Sequence, residues 1–511
     1  MDEVEYVCPR HGDDGILDVV YDYPSIARRI NPQKLAASPT RSIWRYLRLL
    51  PVDPGIVESL VGGTPLGNVG WTPLYPAPRL AARLGLRHLW IKDDGRQPTA
   101  SFKDRASALA VIKARERGTQ VITTASTGNA AAALAGLCAA VSQQNVIFVP
   151  KTAPQAKIAQ LLIYGATVLL VDGTYDDAFE LCLQAAPEFG WYNRNTAYNP
   201  YMSEGKKTVV YEIWEQLGFS TPDVVLVPVG DGCIIGGVHK GFKDLLALGW
   251  IERMPRLIGV QAAGSSPLVE AWEQGLEGWQ MKPVEAHSVA DSIVAGLPRD
   301  RIKALRAVRD SGGAFLRVSD EEIIAAIPAL AQGVGVFAEP AAAAAYAGLV
   351  RAVEQGGVDP DDRVVVLATG SGLKDVATAM KAAGRPAIVA PDLKEVRHAL
   401  SNSTMFNERT WRSRWTSPHP PTPLRIPNSE FRIPNSEGEG GQGVGVRSNR
   451  TLSSYSGWSS KSQSEKLTTK TQRTRRKRKL LVSLMVFARH LGSYEKSVRE
   501  DLLFRLHTHS R

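Results

Sequence analysis

Four short apolar runs, each closing on a polar, glycine-bearing turn and each followed by a helical pattern, constrain this chain more than any other feature. Val121-Ile122-Thr123-Thr124 runs into Ala125-Ser126-Thr127-Gly128-Asn129 and then the Ala-rich stretch 130–140. Val224-Val225-Leu226-Val227-Pro228-Val229 opens into Gly230-Asp231-Gly232-Cys233-Ile234-Ile235-Gly236-Gly237. Val364-Val365-Val366-Leu367-Ala368 leads to Thr369-Gly370-Ser371-Gly372-Leu373-Lys374-Asp375. The fourth, Trp90-Ile91-Lys92-Asp93, passes through Asp94-Gly95-Arg96-Gln97 to Pro98-Thr99-Ala100-Ser101-Phe102-Lys103-Asp104-Arg105. Further strands are predicted at 145–149, 167–171 and 257–261, and helices at 154–164, 175–186 and 203–217. Such alternation predicts an α/β fold of open parallel sheets with right-handed crossovers. Open α/β sheets bind ligands beyond the carboxyl ends of their strands, so the four turns predict one shared site.

The chemistry of the turns is specific. Lys103 falls at the mouth of a helix whose predicted cap is Thr99 or Ser101. The positive helix end disfavours an ammonium there, which makes Lys103 a candidate Schiff-base nucleophile. The Gly230 to Gly237 loop can wrap backbone N–H groups round a phosphate. The Asn129 amide, at the tip of its turn, can reach an oxygen on a ring. Glu339-Pro340 precedes an Ala-rich helix; Glu339 either closes the pocket or merely complements the helix end, and both readings stay open.

Lysine, Asn turn, Gly loop and Thr-Gly turn follow in that order. Together with Gly70-Trp71-Thr72-Pro73-Leu74, Asn199-Pro200 and Glu204-Gly205-Lys206-Lys207-Thr208, they make residues 70–390 resemble the fold-type-II (tryptophan synthase β-like) pyridoxal-phosphate enzymes, and among them the threonine synthases. The resemblance implies that Lys103 binds the cofactor as a Schiff base and moves protons. It implies that Asn129 meets the ring hydroxyl, that Gly230, Asp231, Gly232, Cys233 and Ile234 hold the cofactor phosphate, and that Thr369 faces the pyridine nitrogen. A neutral hydroxyl there tempers the electron sink and favours elimination over transamination. The implied activity is a lyase converting O-phosphohomoserine and water to L-threonine and phosphate. Two alternatives stand beside it: a serine/threonine dehydratase-like or other β-eliminating or β-replacing enzyme, and a non-catalytic cofactor-binding protein. The expected partner is a small-molecule amino acid, with a homodimer left open, and with neither nucleic acid nor membrane for the enzyme core. Three positions depart from the pattern: Met202 stands where an arginine is expected, Asp231 where an amide is, and Ala130 where a hydroxyl is. On that reading Met202→Arg tightens phosphate binding, unless Lys206 or Lys207 already supplies the charge.

The expected organisation is an N-terminal extension (1–69), a catalytic region (70–395) and a basic tail (396–511). Within the catalytic region, a smaller mobile domain is expected at about 100–215 and a larger one from the flanking segments, with the cofactor between them. The chain has 61 Lys and Arg against 51 Asp and Glu, but 21 and 8 of these fall in 401–511, so the basic balance belongs to the tail. Arg425-Ile426-Pro427-Asn428-Ser429-Glu430-Phe431 is followed at once by Arg432-Ile433-Pro434-Asn435-Ser436-Glu437, and no core-forming apolar pattern appears until Leu480 to Phe487. That predicts disorder, and we read the repeat and the abrupt change of composition as a product of frameshift or read-through rather than a nucleic-acid arm. Cys8, Cys138, Cys182 and Cys233 are too scattered for a disulfide framework, and Cys8-Pro9-Arg10-His11 offers only two ligands, so no metal is expected. A signal-peptide pattern and apolar runs of about 18 residues are both missing, from which a cytoplasmic location is expected.

Overall fold

Ten strands make two sheets in the computed structural model, which describes residues 6–401. In chain order they are β1 (Leu74–Pro76), β2 (His88–Asp93), β3 (Val121–Ala125), β4 (Gln144–Pro150), β5 (Thr167–Val171), β6 (Tyr192–Asn193), β7 (Val224–Pro228), β8 (Arg256–Ala262), β9 (Ala314–Val318) and β10 (Arg363–Ala368). The larger sheet has the order β1-β2-β10-β7-β8-β9 and the smaller β5-β4-β3-β6. Every pairing is parallel except β1 with β2, where Leu74 faces Lys92 antiparallel at the sheet edge. All described residues fall within one compact unit, and none of their helices is long and apolar enough to cross a membrane.

The larger sheet is covered on both faces, as a parallel sheet requires. Val224, Leu226, Val364 and Val366 point to one side, packing with the Ala-rich helix Pro340–Glu354; Val225, Val227, Val365 and Leu367 point to the other, against the helices Thr208–Gln216 and Cys233–Ala247. That is the period of two expected of a strand, and each of these buried side chains contributes about 1.5–3 kcal/mol. A Cβ on Gly348 would collide with Val260, which explains why the helix facing β8 is made of small residues. The helix Lys103–Glu116 buries Ala106, Leu109 and Val111 in a cluster shared with Ile43, Trp44, Val57 and Leu66, so the segment before residue 70 packs on the same core.

One local expectation needs correction. The helix expected at 203–217 is broken at Lys207 into Tyr201–Lys206 and Thr208–Gln216, with Thr208 Oγ1 donating to Gly205 O at 2.7 Å. Gly205 lies against the Arg105 carbonyl, where a Cβ would not fit, so the Glu-Gly pair lets this short helix press on the Lys103 helix. The last described element is a helix, Leu393–Ser401. The expectations for residues beyond 401 lie outside the described residues.

Candidate active site

Lys103 is positioned by the segment leaving β2. Ala100 sits at φ +62, an uncommon conformation for a residue with a Cβ. The turn is stitched to the one after β10: Phe102 N–H donates to Thr369 O at 2.8 Å and Ser371 N–H to Ala100 O at 3.1 Å. Neither Thr99 nor Ser101 caps the helix with its side chain. Phe102 is the N-cap residue, Thr99 donates its N–H to Asp104 Oδ2 at 2.7 Å and its hydroxyl to the same carboxylate, and Ser101 Oγ is unpartnered. Burial pushes the Asp104 carboxyl up to about 7, against the hydrogen bonds from Thr99. Two residues into the helix, Arg105 donates to Asp94 Oδ2 at 2.6 Å and to Glu212, whose carboxylate also receives Lys92 at 2.7 Å. A buried, fully paired network of this kind fixes the start of the helix rigidly, since breaking any one pair strands a charge.

A cavity of about 640 Å³ opens where these elements meet, lined by Lys103, the Ser126–Ala130 turn and the Gly230–Ile234 loop. Three of the four predicted turns therefore meet as expected. Thr369 is joined to the lysine turn through its backbone, but it is not among the residues lining this cavity. The Lys103 amine is lowered to about 8, first by burial and then by Lys206 and Arg194, with Glu339 and Asp231 opposing. The amine is thus neutral far more often at physiological pH than that of a solvated lysine.

Asn129 begins the helix Asn129–Ala140, and its Nδ2 donates to Glu339 Oε1 at 2.7 Å. Glu339 is the N-cap residue of the helix Pro340–Glu354 and is buried, its carboxyl raised by desolvation; it does not line this cavity itself and meets it through Asn129. Gly230 lies so close to Ile293 that a Cβ would stand 2.8 Å from its Cα, and Gly232, at φ +88, abuts Ala304 in the same way. Both glycines let the loop turn tightly into the helix Cys233–Ala247, whose first N–H groups have no acceptor within the helix. That donor set fits a phosphate ester, and a low-pKa lysine in the same cavity fits the carbonyl carbon of pyridoxal phosphate.

The three departing positions fall differently. Ala130 and Asp231 line the cavity, and Asp231 Oδ1 accepts the Arg299 N–H at 3.3 Å. Met202 is not at the cavity: it is fully buried in the apolar cluster with Leu109, Leu137 and Tyr192. Lys207 is also elsewhere, paired with Asp244 and Glu204 at 2.6 Å each. Lys206 does reach the cavity, with its Nζ 2.6 Å from Cys233 Sγ.

Residues 66–370 match the family model described as pyridoxal-phosphate dependent enzyme. The threonine synthase of Methanocaldococcus jannaschii is 37% identical over 404 residues, 78% of this chain and 96% of the relative. That of Methanosarcina acetivorans is 40% identical over 401 residues, 78% of this chain and 95% of the relative. The chain belongs to the threonine synthase family of pyridoxal-phosphate dependent enzymes. Among solved structures, diaminopropionate ammonia lyase from Escherichia coli superposes with a TM-score of 0.54 at 20% identity, covering 68% of this chain and 93% of that one. The processed form of threonine deaminase isoform 2 from Solanum lycopersicum gives 0.52 at 24%, covering 65% and 93%. At those identities the two show the fold the family shares.

Arg194 and Arg299 are cavity residues that sequence reasoning missed. Arg194 directly follows β6, a strand of two residues that carries almost no periodic signal. Arg299 lies in a stretch without regular pattern ahead of the helix Arg301–Asp310. In sequence the Asn193-Arg194-Asn195 triplet is only a short polar run; that it is almost wholly buried, the mark of a functional turn, is visible in the structure alone.

Proposed function

We propose that this protein converts O-phosphohomoserine and water to L-threonine and inorganic phosphate. When bound, pyridoxal phosphate supplies the electron sink that makes protons at the α and β carbons of an amino acid removable. Lys103 is the general base and acid: an amine lowered to about 8 can both accept and return a proton near neutral pH. The N–H groups at the start of the helix Cys233–Ala247 and the Gly230 loop hold the cofactor phosphate; Asn129, fixed by Glu339, orients the ring from the other turn. Phosphate leaves from the γ carbon with the C–O bonding pair, the γ carbon takes up a proton to become the methyl group, and water gives its hydroxyl to the β carbon while a proton returns to the α carbon, so atoms and charge balance.

The observation that supports the choice of substrate is the likeness to threonine synthases, 37% and 40% identical over 78% of this chain, joined to a cavity that holds cationic side chains beside the lysine. Besides Lys103 it is lined by Lys206, Arg194 and Arg299. Four carboxylates, Asp176, Asp231, Glu285 and Asp291, line it too, and Arg299 is paired with Asp176, so the cavity carries no net positive excess and the family relationship, not the charge count, selects the phosphorylated substrate. The test is phosphate release from O-phosphohomoserine by the full chain loaded with pyridoxal phosphate, set beside ammonia release from L-threonine and L-serine. Phosphate release with threonine formed is expected. Ammonia release without phosphate release would replace this reading with the dehydratase-like one.

A further inference from the structure

Among the cavity's cations, Arg194 is distinguished by what it lacks. Its backbone N–H closes on Thr123 O at 2.9 Å, extending β6 by one residue, and its side chain is buried with 1% of the residue exposed. Nε donates to Ser107 Oγ at 3.3 Å, while Nη2 has no hydrogen-bond partner. A guanidinium carries five donors, and a buried one left without an acceptor is costly enough that proteins rarely keep it unless something else binds there. The nearby Asp104 does not serve, because its carboxylate is committed to Thr99. Lys206 and Arg299 are engaged, Lys206 Nζ resting on Cys233 Sγ and Arg299 Nη2 donating to Asp176 Oδ1 at 2.7 Å, and Lys103 is reserved for the cofactor.

Counting anions points the same way. The reaction proposed above brings three anionic groups into one cavity: the cofactor phosphate, the substrate carboxylate and the substrate phosphate. Two helices begin at its wall, Asn129–Ala140 and Cys233–Ala247, and each offers N–H groups and a positive dipole end to one anion. The third anion needs a cation of its own. The sequence position where an arginine was expected for it, Met202, is sealed in the apolar cluster behind the Lys103 helix.

We propose that Arg194 is the residue that binds the γ-phosphate of the substrate, the guanidinium facing two phosphate oxygens and taking over the task that Met202 cannot perform. The proposal deepens the threonine synthase reading and rests on it for the identity of the phosphorylated amino acid. A planar fork with a free nitrogen can engage a phosphate bidentately, and the same contact stabilises the negative charge that gathers on the phosphate as it leaves. Ser107, on the Lys103 helix, steadies the fork through Nε.

The experiment compares the loaded wild-type protein with Arg194→Gln and Arg194→Lys by three measurements: kcat and KM for O-phosphohomoserine, competitive inhibition by inorganic phosphate, and binding of unphosphorylated L-threonine followed by the cofactor's absorbance. Arg194→Gln is expected to raise KM and the inhibition constant for phosphate by about ten- to a hundredfold, with L-threonine binding and cofactor content unchanged. Arg194→Lys keeps the charge without the fork and is expected to lie between; it also carries the test if the Gln variant does not fold. Unchanged phosphate inhibition in both variants overturns the proposal. So does an equal loss of L-threonine affinity, which would assign Arg194 to the carboxylate, or loss of the cofactor itself, which would assign it to the cofactor phosphate. If the wild-type protein releases no phosphate from O-phosphohomoserine, the proposed activity fails; inhibition by inorganic phosphate of whatever amino-acid reaction is found still decides whether Arg194 binds a phosphate group.

Discussion

Asn129 Nδ2 donates to Glu339 Oε1 at 2.7 Å, tying the first residue of one helix to the N-cap residue of another across 210 positions of sequence. The carboxylate fits because Gly370 beside it has no Cβ; a methyl group there would overlap Oε1. Glu339 in turn acts on Lys103, whose ammonium it favours while burial and Lys206 disfavour it. The polar centre of the site is thus one coupled set of charges, and its titration is measurable.

Uptake of pyridoxal phosphate by cofactor-free protein reports that titration, because the neutral amine is the nucleophile. The sign is fixed by protonation: below a pKa of about 8 the uptake rate falls about tenfold per pH unit, and above it the rate levels off. In Glu339→Gln the negative charge that favours the ammonium is gone, so the midpoint moves to lower pH. A stopped-flow pH series on both proteins checks this. A wild-type midpoint near about 10, the solvated value, would show that Lys103 is not desolvated.

Removing the lysine separates chemistry from folding. Lys103→Met should lose the long-wavelength absorbance of lysine-bound cofactor and all turnover, yet melt at a higher temperature than the cofactor-free wild type at pH 7. A buried basic group with a lowered pKa penalises the folded state in full below about 8, where folded and unfolded chains both hold the proton; the penalty fades as pH rises from there toward about 10.4. The gain in Tm should therefore shrink at pH 10. Thermal melts at the two pH values decide it, and an equal or larger gain at pH 10 would contradict the burial of the charge.

The sheets and the turn residues were legible in sequence because both signals are local. Val224 to Pro228 is apolar at every position since both faces of β7 are covered, and the glycines after it are required by contacts with Ile293 and Ala304. Position in three dimensions was not legible. Met202 and Lys206 sit on one short helix and Lys207 follows at its end, yet only Lys206 faces the cavity, because the break at Lys207 and the close approach of Gly205 to Arg105 set how that helix is rolled. The helix cap was misplaced for a related reason: Asp104, inside the first turn, reaches back to accept from the Thr99 N–H and hydroxyl, which turns the Thr99 side chain to that carboxylate and away from the free N–H groups of the helix.

The phosphate loop yields a prediction that leaves the lysine untouched. Gly230→Ala places a Cβ 2.8 Å from Ile293 Cα, a backbone atom that cannot swing aside, so the loop must move off the turn Asp291–Ile293. The expected outcome is a rise of about tenfold or more in the concentration of pyridoxal phosphate needed for half-saturation, corresponding to about 1.4 kcal/mol, with only a small fall in Tm of the cofactor-free protein. Titration of cofactor absorbance checks it, and unchanged affinity would mean that the loop does not hold the cofactor.

Met202→Arg reverses an expectation drawn from sequence. Placed by family pattern alone, an arginine there should tighten binding of a phosphorylated substrate; placed by the structure, it drives a guanidinium into a cluster of Leu109, Leu137, Tyr192 and neighbouring alanines, with Met202 fully buried. A buried charge without a partner costs about 3–5 kcal/mol, which is a large part of the stability of a typical domain. The variant should therefore melt well below the wild type or fail to accumulate as soluble protein, and any folded fraction should show no lower KM for O-phosphohomoserine. Met202→Leu, close in volume and apolar, should stay within about 1.5 kcal/mol of the wild type and keep its KM, which separates loss of packing from loss of a phosphate contact. A stable Met202→Arg protein with improved KM would mean that the side chain at this position reaches the cavity, and would move the phosphate site from Arg194 to the neighbourhood of residue 202.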